Sequence, residues 1–590
     1  MIYENCNIPV IVSPKLSTEQ VAKSHLALRR SLLSDIDEVE NMELIIQHIG
    51  PLTLITWAGC LILLHVWTGY LLGHPQEGAM LIELTQGPLV AKFTDAYAAY
   101  HSWKGSIHLD ISRCHEKYGD FVRYGPNRIL VNSAAGLKDI YGHGKNVRKS
   151  PAYRALIHRV PSTFTLVDKR EHSWKRRILA QGFTTSTLRD LEPHILGKID
   201  RFCKCMLEHG EGRPQQGGWS SPQNLSDWCS YLSFEIMASV VFGQKYDMLG
   251  SEEHRHLIKD IQKSNIRVSV LYNYITLRSL HLDRLLFPES MKGRRTFLHY
   301  INLFLTHSSA RGQLSSGHSS NLFHLLKTFR DPESGRQFHA AELRAEAATL
   351  IAAGMETYVF RGSYRTKYID ADTCIMKPEG LETTSSAMAA TFFYLSHFPV
   401  VQSTLAEEIR TTFDSVDSIH MGPQLKSCRY LDACIYESLR MSPPVSSPTW
   451  RQVENRGALI DGRFLEPGCD VGTSIYAIHH NPRIFQDHGT FDPSRWLEPD
   501  SRAIRAAFAP FSIGPRACVG RSLALAELAM VVASVVWRYD LRLADGSLGR
   551  VGEGGKELGR GRERVQEFQL YDHIAAATDG PYVEFRAREA

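Results

Sequence analysis

The stretch Phe511-Ser512-Ile513-Gly514-Pro515-Arg516-Ala517-Cys518-Val519-Gly520 constrains this chain more than any other. A single thiol, Cys518, lies between two glycines, with Arg516 shortly before it and an aromatic residue, Phe511, further upstream. A helical run from Arg521 to Met530 follows at once. The loop therefore presents a sulfur at a helix N-terminus, where the positive end of the helix dipole favours a thiolate. Gly514 and Gly520 permit the backbone turns and the close approach that a flat ligand needs. Arg516 can pair with an anionic group on such a ligand, and Phe511 can shield the sulfur from water. A lone cysteine ahead of a helix is ordinarily a small core residue. The whole constellation, rather than the cysteine, points to a ligand.

The pattern resembles the Phe-x-x-Gly-x-Arg-x-Cys-x-Gly loop of the cytochrome P450 family, with no departures. The resemblance implies the cytochrome P450 fold, mainly α with a small β-rich lobe. It also implies that Cys518 is the axial thiolate of haem b iron, with Arg516, Phe511, Gly514 and Gly520 shaping the cofactor site.

Composition agrees with a large globular enzyme: 590 residues, 43% of them hydrophobic. The formal charge of +4 is small for this length, and no Lys/Arg-rich run marks a nucleic-acid partner. Eleven cysteines are scattered with no CxxC pair, which argues against a disulfide framework and for a reducing compartment.

Residues 1–48 form a polar extension, acidic towards its end (Asp35, Asp37, Glu38, Glu40, Glu43), without a secretory-signal pattern. From Ile49 to Leu72 there is no Asp, Glu, Lys or Arg, and the run is long enough to span a bilayer as one helix. Trp67 and Tyr70 suit an interface, and only His65 titrates near neutral pH. A buried core helix is the alternative. By family analogy this single transmembrane helix anchors a cytosolic catalytic part to the endoplasmic reticulum membrane. An extension this long ahead of an anchor departs from the family, so a mis-assigned start stands beside a functional segment. Residues 73–87, with Pro75 and the Gly87-Pro88 turn, link the anchor to a catalytic domain over 88–590.

Within that domain a helix gives way to alternating strand-like residues at Phe121, Arg123 and Ile129 to Val131, resembling the β-sheet start of fungal cytochrome P450s. His172 and Arg176 lie four apart and share a helix face. They stand where the family has Trp and Arg or His contacting haem propionates. Here His replaces Trp, Arg177 competes with Arg176, and a solvated basic face is the alternative. Leu191 to about Tyr300 reads as mainly helical, in the region where family substrate contacts vary most.

Ala341 to Gly354 reads as a helix that stops, and Ser385 to Leu395 as a helix again. Between them the texture changes, and Pro378 would break a helix. The family's central helix carries Ala-Gly-x-Glu/Asp-Thr-Thr/Ser. This chain holds it twice in part, at Ala353-Gly354-Met355-Glu356-Thr357 and at Gly380-Leu381-Glu382-Thr383-Thr384. Joining Gly354 to Leu381 restores one family-like helix. Met355–Gly380 therefore reads as a translated intron: Gly354-Met355 can be encoded GGT-ATG, with a donor-like start, and Glu379-Gly380 can be encoded GAA-GGN, with an AG acceptor. A genuine inserted loop is the alternative. In the family the Gly widens the helix to admit dioxygen, and the acid and alcohol relay protons. The better-matched copy assigns these roles to Glu382, Thr383 and Thr384, with Glu356 and Thr357 as the second copy.

Glu437 and Arg440, three apart on a helix, match the family's Glu-x-x-Arg. Arg495, in Phe491-Asp492-Pro493-Ser494-Arg495-Trp496, matches the arginine that joins them in a buried structural network. Val445 to Trp450 would line the substrate side and Arg451 reach a propionate. His479-His480-Asn481-Pro482 matches a family turn, which argues against a second metal. Gly546 to Arg564 reads as a flexible loop. Phe568 to His573 and Pro581 to Phe585 read as the closing hairpin region.

The resemblance covers roughly 88–590, with all four landmark motifs in order. It implies a monooxygenase that activates O2 with electrons from NADPH, delivered by a membrane NADPH–cytochrome P450 reductase. Arg516 and Arg521 would help dock an acidic partner, and cytochrome b5 is a candidate second donor. The anchor suggests a lipophilic small-molecule substrate, and the fungal texture suggests secondary metabolism. Two alternatives stay open: an isomerase or dehydratase on the same fold that needs no external electrons, and a catalytically impaired haem-binding membrane protein.

Overall fold

A computed structural model describes residues 85–157, 160–208, 218–244, 246–294, 321–354 and 383–588. The expected polar extension (1–48), anchor (49–72), Glu356, Thr357, Glu382 and the Met355–Gly380 segment lie outside the described residues. Among the described residues, no helix is long and apolar enough to cross a membrane.

The helix Leu225–Phe242 sets the centre of the core. The Asn224 side chain caps it by accepting from the Ser226 N–H, and Gly243 ends it in the left-handed region at φ 64°. Its residues are buried on nearly every face, as a helix enclosed by others must be. Thr185–Glu208, Ala340–Gly354 and Thr383–His397 all pack against it. Thr383–His397 opens with Ser385, Ser386, Ala387, Ala389 and Ala390, all buried; small side chains let neighbouring backbones come close. Against that helix lie Arg429–Met441 and Arg521–Arg538.

The β-rich lobe is a five-stranded sheet ordered Phe121–Gly125, Arg128–Val131, Asp470–Gly472, Arg451–Val453, Val147–Lys149. The first two strands form an antiparallel hairpin pairing Phe121 with Val131. Arg128–Val131 runs parallel to Asp470–Gly472, so the lobe is closed by strands far apart in the chain. Tyr571–His573 and Ala575–Ala577 form a hairpin. Tyr582–Ala587 pairs with Tyr539–Leu543.

Two sequence expectations need correction. The stretch read as linker is already docked at its end: the Arg123 N–H donates to the Gln86 carbonyl at 2.9 Å. A Cβ on Gly87 would meet the Arg123 carbonyl oxygen at 2.1 Å. Gly546 to Arg564, read as a flexible loop, is irregular but pinned. Arg562 is buried and donates to Gln569 Oε1 at 3.0 Å and to the Leu570 carbonyl at 2.9 Å. Its glycines made the segment look loose, whereas its anchors lie outside it.

Candidate active site

The cysteine loop is shaped by two short backbone hydrogen bonds. Cys518 N–H donates to Phe511 O at 2.9 Å, and Ala517 N–H to Gly514 O at 3.1 Å. Gly514 has φ 70°, and a Cβ there would lie 2.0 Å from the Tyr141 carbonyl, at the end of helix Ala134–Tyr141. Only glycine lets the loop press so closely on that helix. Gly520 is different: its φ is −83°, and a Cβ would meet only Phe183 at 3.8 Å and Cys518 Sγ at 4.0 Å. Phe511 is half-buried against the core, with the Arg521 guanidinium 5.9 Å from its ring centre.

Cys518 keeps open surface, although protein surrounds its sulfur closely enough to desolvate it. Burial pushes the thiol up, while the Gly520 and Arg521 N–H groups and the Arg176 guanidinium pull it down.

Basic side chains converge beside it. His172 and Arg176 ride on helix Lys169–Gln181, which Asp168 caps by accepting from the Glu171 N–H at 2.8 Å. Arg516 reaches the same junction: Nη1 donates to Leu166 O at 2.7 Å, and Nη2 to Val167 O and Asp168 O at 3.2 Å each. Arg451 donates to Thr449 O at 2.9 Å and Trp450 O at 3.2 Å, its guanidinium 4.8 Å from the Tyr141 ring centre. Lys149, absent from the sequence reading, is buried among them and donates to Phe164 O. Arg177, the competitor of Arg176, turns elsewhere and pairs with Asp331 through both Nε and Nη2.

This cluster has its own electrostatics. Burial, then Arg516, Lys149, Arg176 and Arg451, hold His172 down at about 2, so its ring is neutral. Burial and Arg451 pull Arg516 down to about 10. Burial, with Arg451 and Arg516, pushes Lys149 well below the ordinary lysine range. Among the described residues no carboxylate forms an ion pair with His172, Arg176, Arg451, Arg516 or Lys149. Buried cations without counter-charges are costly. A flat group bearing carboxylates, set against the Cys518 sulfur, answers both features, so these residues fit a haem.

A second constellation is buried and fully paired. Arg440 Nε and Nη2 donate to the two Glu437 oxygens at 2.9 Å each. Arg495 Nε donates to Glu437 Oε1 at 3.0 Å, and Trp496 Nε1 to Oε2 at 2.9 Å. Arg440 also donates to the carbonyls of His479 and His488, at 3.0 and 2.8 Å. The histidine turn works on the same side of the fold. His479 Nε2 accepts from the Ala509 N–H at 3.1 Å, steadying the approach to the cysteine loop, and burial holds its ring down at about 3.

Thr383 and Thr384 open helix Thr383–His397 and are half-buried. On helix Ala340–Gly354, Glu346 Oε1 accepts from the Thr163 N–H at 2.7 Å and its hydroxyl at 2.8 Å, a contact the sequence did not signal. Trp450, expected to line the substrate side, is fully buried and bonded to Tyr272 and Asn273. It supports a wall rather than forming a surface.

Comparison with known proteins agrees with this geometry. The sequence model of the cytochrome P450 family matches residues 91–360 and 363–552. Cytochrome P450 monooxygenase AKT7 of Alternaria alternata is 39% identical over 511 residues, covering 85% of this chain and 92% of that one. Cytochrome P450 monooxygenase poxM of Penicillium oxalicum is 38% identical over 531 residues, covering 90% and 95%. Cytochrome P450 monooxygenase atnE of Emericella nidulans is 37% identical over 513 residues, covering 85% and 91%. A cysteine at a helix N-terminus, a basic cluster beside it and a match running through most of the chain converge: the chain belongs to the cytochrome P450 family of haem-thiolate oxidoreductases.

Proposed function

We propose that this chain is a membrane-anchored monooxygenase that oxidises a lipophilic small molecule in fungal secondary metabolism. Its electrons come from NADPH through a reductase. Haem, when bound, supplies the reductive activation of dioxygen. The observation that carries the reading is Cys518, held at a helix N-terminus beside basic side chains with which, among the described residues, no carboxylate forms an ion pair.

Within this reading each residue has a task. Cys518 Sγ, favoured as thiolate by the N–H groups of Gly520 and Arg521, would hold the haem iron. Arg451, Arg516, Arg176 and His172 would bind and orient the propionate edge. Phe511 keeps water from the sulfur. Glu382, Thr383 and Thr384 would pass protons to the reacting oxygen. Glu437, Arg440 and Arg495 hold the supporting core. The charge-free run 49–72 anchors the chain to the endoplasmic reticulum membrane, with the catalytic part in the cytosol.

Cys518→Ser tests the central assignment. The haem-loaded variant is expected to lose the thiolate signature from its reduced carbon monoxide spectrum and with it NADPH-dependent turnover. An unchanged spectrum rejects Cys518 as ligand. A second reading, an impaired haem-binding protein, is favoured by one observation: Met355–Gly380 separates the halves of the motif that handles oxygen. Intact thiolate haem that never consumes NADPH with any substrate supports it.

A further inference from the structure

The hairpin of Tyr571–His573 and Ala575–Ala577 ties together parts of the fold that flank the site. Its second arm reaches the helix that opens with Thr383: Ser386 Oγ donates to Ala576 O at 2.9 Å. Ala576 N–H donates to Pro444 O at 2.7 Å. The tip is Ile574, alone between the register partners His573 and Ala575, at φ 82°. A β-branched residue is strained in that backbone region, so its surroundings must hold it there. Ile574 packs against the cluster that contains Tyr153, Tyr272 and Trp450. The carboxyl that holds it belongs to Asp572, which is fully buried. Oδ1 accepts from the Ile574 N–H at 3.2 Å and from the Ser447 hydroxyl at 3.3 Å. Oδ2 faces His108 Nδ1 at 3.9 Å, and among the described residues neither atom has a hydrogen-bond partner. Two buried polar atoms facing each other in this way call for a proton between them.

Resting on the proposed oxidation of a small molecule at this site, we infer that Asp572 is a positioning residue, which fixes the Ile574 turn against Ser447 and shares one proton with His108 across the buried gap. In the neutral state the proton sits on Oδ2, and His108 Nδ1 accepts it. On ionisation it passes to Nδ1, the ring releases its Nε2 proton, and the imidazole stays neutral. The carboxylate then accepts from Ile574 and Ser447 in charge-assisted bonds, which are stronger than those of the neutral acid. Burial brings this change near neutrality, raising Asp572 to about 7 and pulling His108 well below its ordinary range. The other ionisable groups around the pair are engaged elsewhere. His573 Nδ1 donates to Ser102 O at 2.8 Å, and Arg562 Nη2 to Leu570 O at 2.9 Å. Arg113 and His101 both turn to Asp110, at 3.1 and 3.5 Å. Tyr476, whose ring meets that of His108 edge-on, donates to Glu567. On the helices packed against the hairpin, Tyr272 accepts from the Trp450 N–H at 2.9 Å, and Tyr394 bonds with the Ser442 hydroxyl at 2.7 Å. Asp572 is thus the group that grips the turn above about pH 7 and eases it below.

Hydrogen exchange of residues 571–577 in the haem-loaded full chain, corrected for intrinsic exchange chemistry, tests this between about pH 6 and 8.5. Wild type should show about tenfold stronger protection at the higher pH, because bonds to a charged acceptor are worth more. Asp572→Asn keeps the shape but cannot ionise, so it should hold the low-pH protection of wild type throughout. His108→Phe removes a bond that the carboxylate needs more than the neutral acid does. The midpoint of the change should therefore rise by about one pH unit in that variant. Rebinding of carbon monoxide to the photolysed haem reports on the site itself. Its rate should change over the same pH range in wild type and stay constant in Asp572→Asn. Wild-type protection that ignores pH overturns the inference without need of any variant, as does a pH response that survives in Asp572→Asn. An unmoved midpoint in His108→Phe overturns the shared proton. A turn that responds to pH while carbon monoxide rebinding does not means a merely structural role. A wild-type protein without the thiolate signature in its carbon monoxide spectrum overturns the parent reading instead.

Discussion

Gly514 and Gly520 occupy one loop but answer to different neighbours. At Gly514 a Cβ collides with the Tyr141 carbonyl, and φ is positive, so Gly514→Ala should cost about 2 kcal/mol or more in denaturant unfolding, with or without haem. At Gly520 the protein leaves room and φ is ordinary. Gly520→Ala should therefore leave apoprotein stability unchanged or raise it by up to about 1 kcal/mol, while haem affinity falls. Equal apoprotein losses for both variants would remove the argument that Gly520 serves a ligand. The contrast marks what could be read from the chain. Cys518, Arg516 and Arg440 were legible because their patterns are short-range: a loop within one decade of residues, a pair three apart. Lys149 and Glu346 were not, because their partners, Arg451 and Thr163, are brought beside them only by the sheet and the helix packing.

Helices Ala340–Gly354 and Thr383–His397 behave as two halves of one element. Both pack on Leu225–Phe242, and Leu350 and Ala387 belong to the same hydrophobic cluster. Their existence was legible from composition and period, as was the strand near Phe121. The fate of Met355–Gly380 is decided by splicing, which protein physics does not fix. If the segment is a translated intron, most transcripts lack it. A protein deleted for 355–380 should then carry more haem and melt several degrees higher than the full chain, since a continuous helix gains hydrogen bonds and loses two frayed ends. Transcripts that mostly retain the segment, together with a deletion protein that fails to load haem, would establish a genuine insertion.

At the scale of the whole molecule, stability is squeezed between two sets of buried groups. Burial holds His115, His479 and His573 down at about 4, 3 and 4, so as pH drops below about 6.5 the unfolded chain gains protons that the folded chain refuses, and stability falls. Buried carboxyls act from the other side. Glu527, on the cysteine helix, meets Ser233 of the central helix in a long 3.4 Å contact, and burial raises it from 4.5 to about 8. The folded chain keeps that proton while the unfolded chain releases it. The neutral carboxyl therefore costs nothing below pH 4.5 and progressively more as pH climbs towards 8. Glu527→Gln has no proton to lose. Its stability relative to wild type should widen with pH by about 1.4 kcal/mol per unit between roughly 5 and 8, then level off. The histidines are common to both proteins and cancel in the difference. Paired denaturant titrations at pH 5, 6.5 and 8 measure it, and a difference that stays constant across them would mean that Glu527 ionises as readily inside the fold as outside.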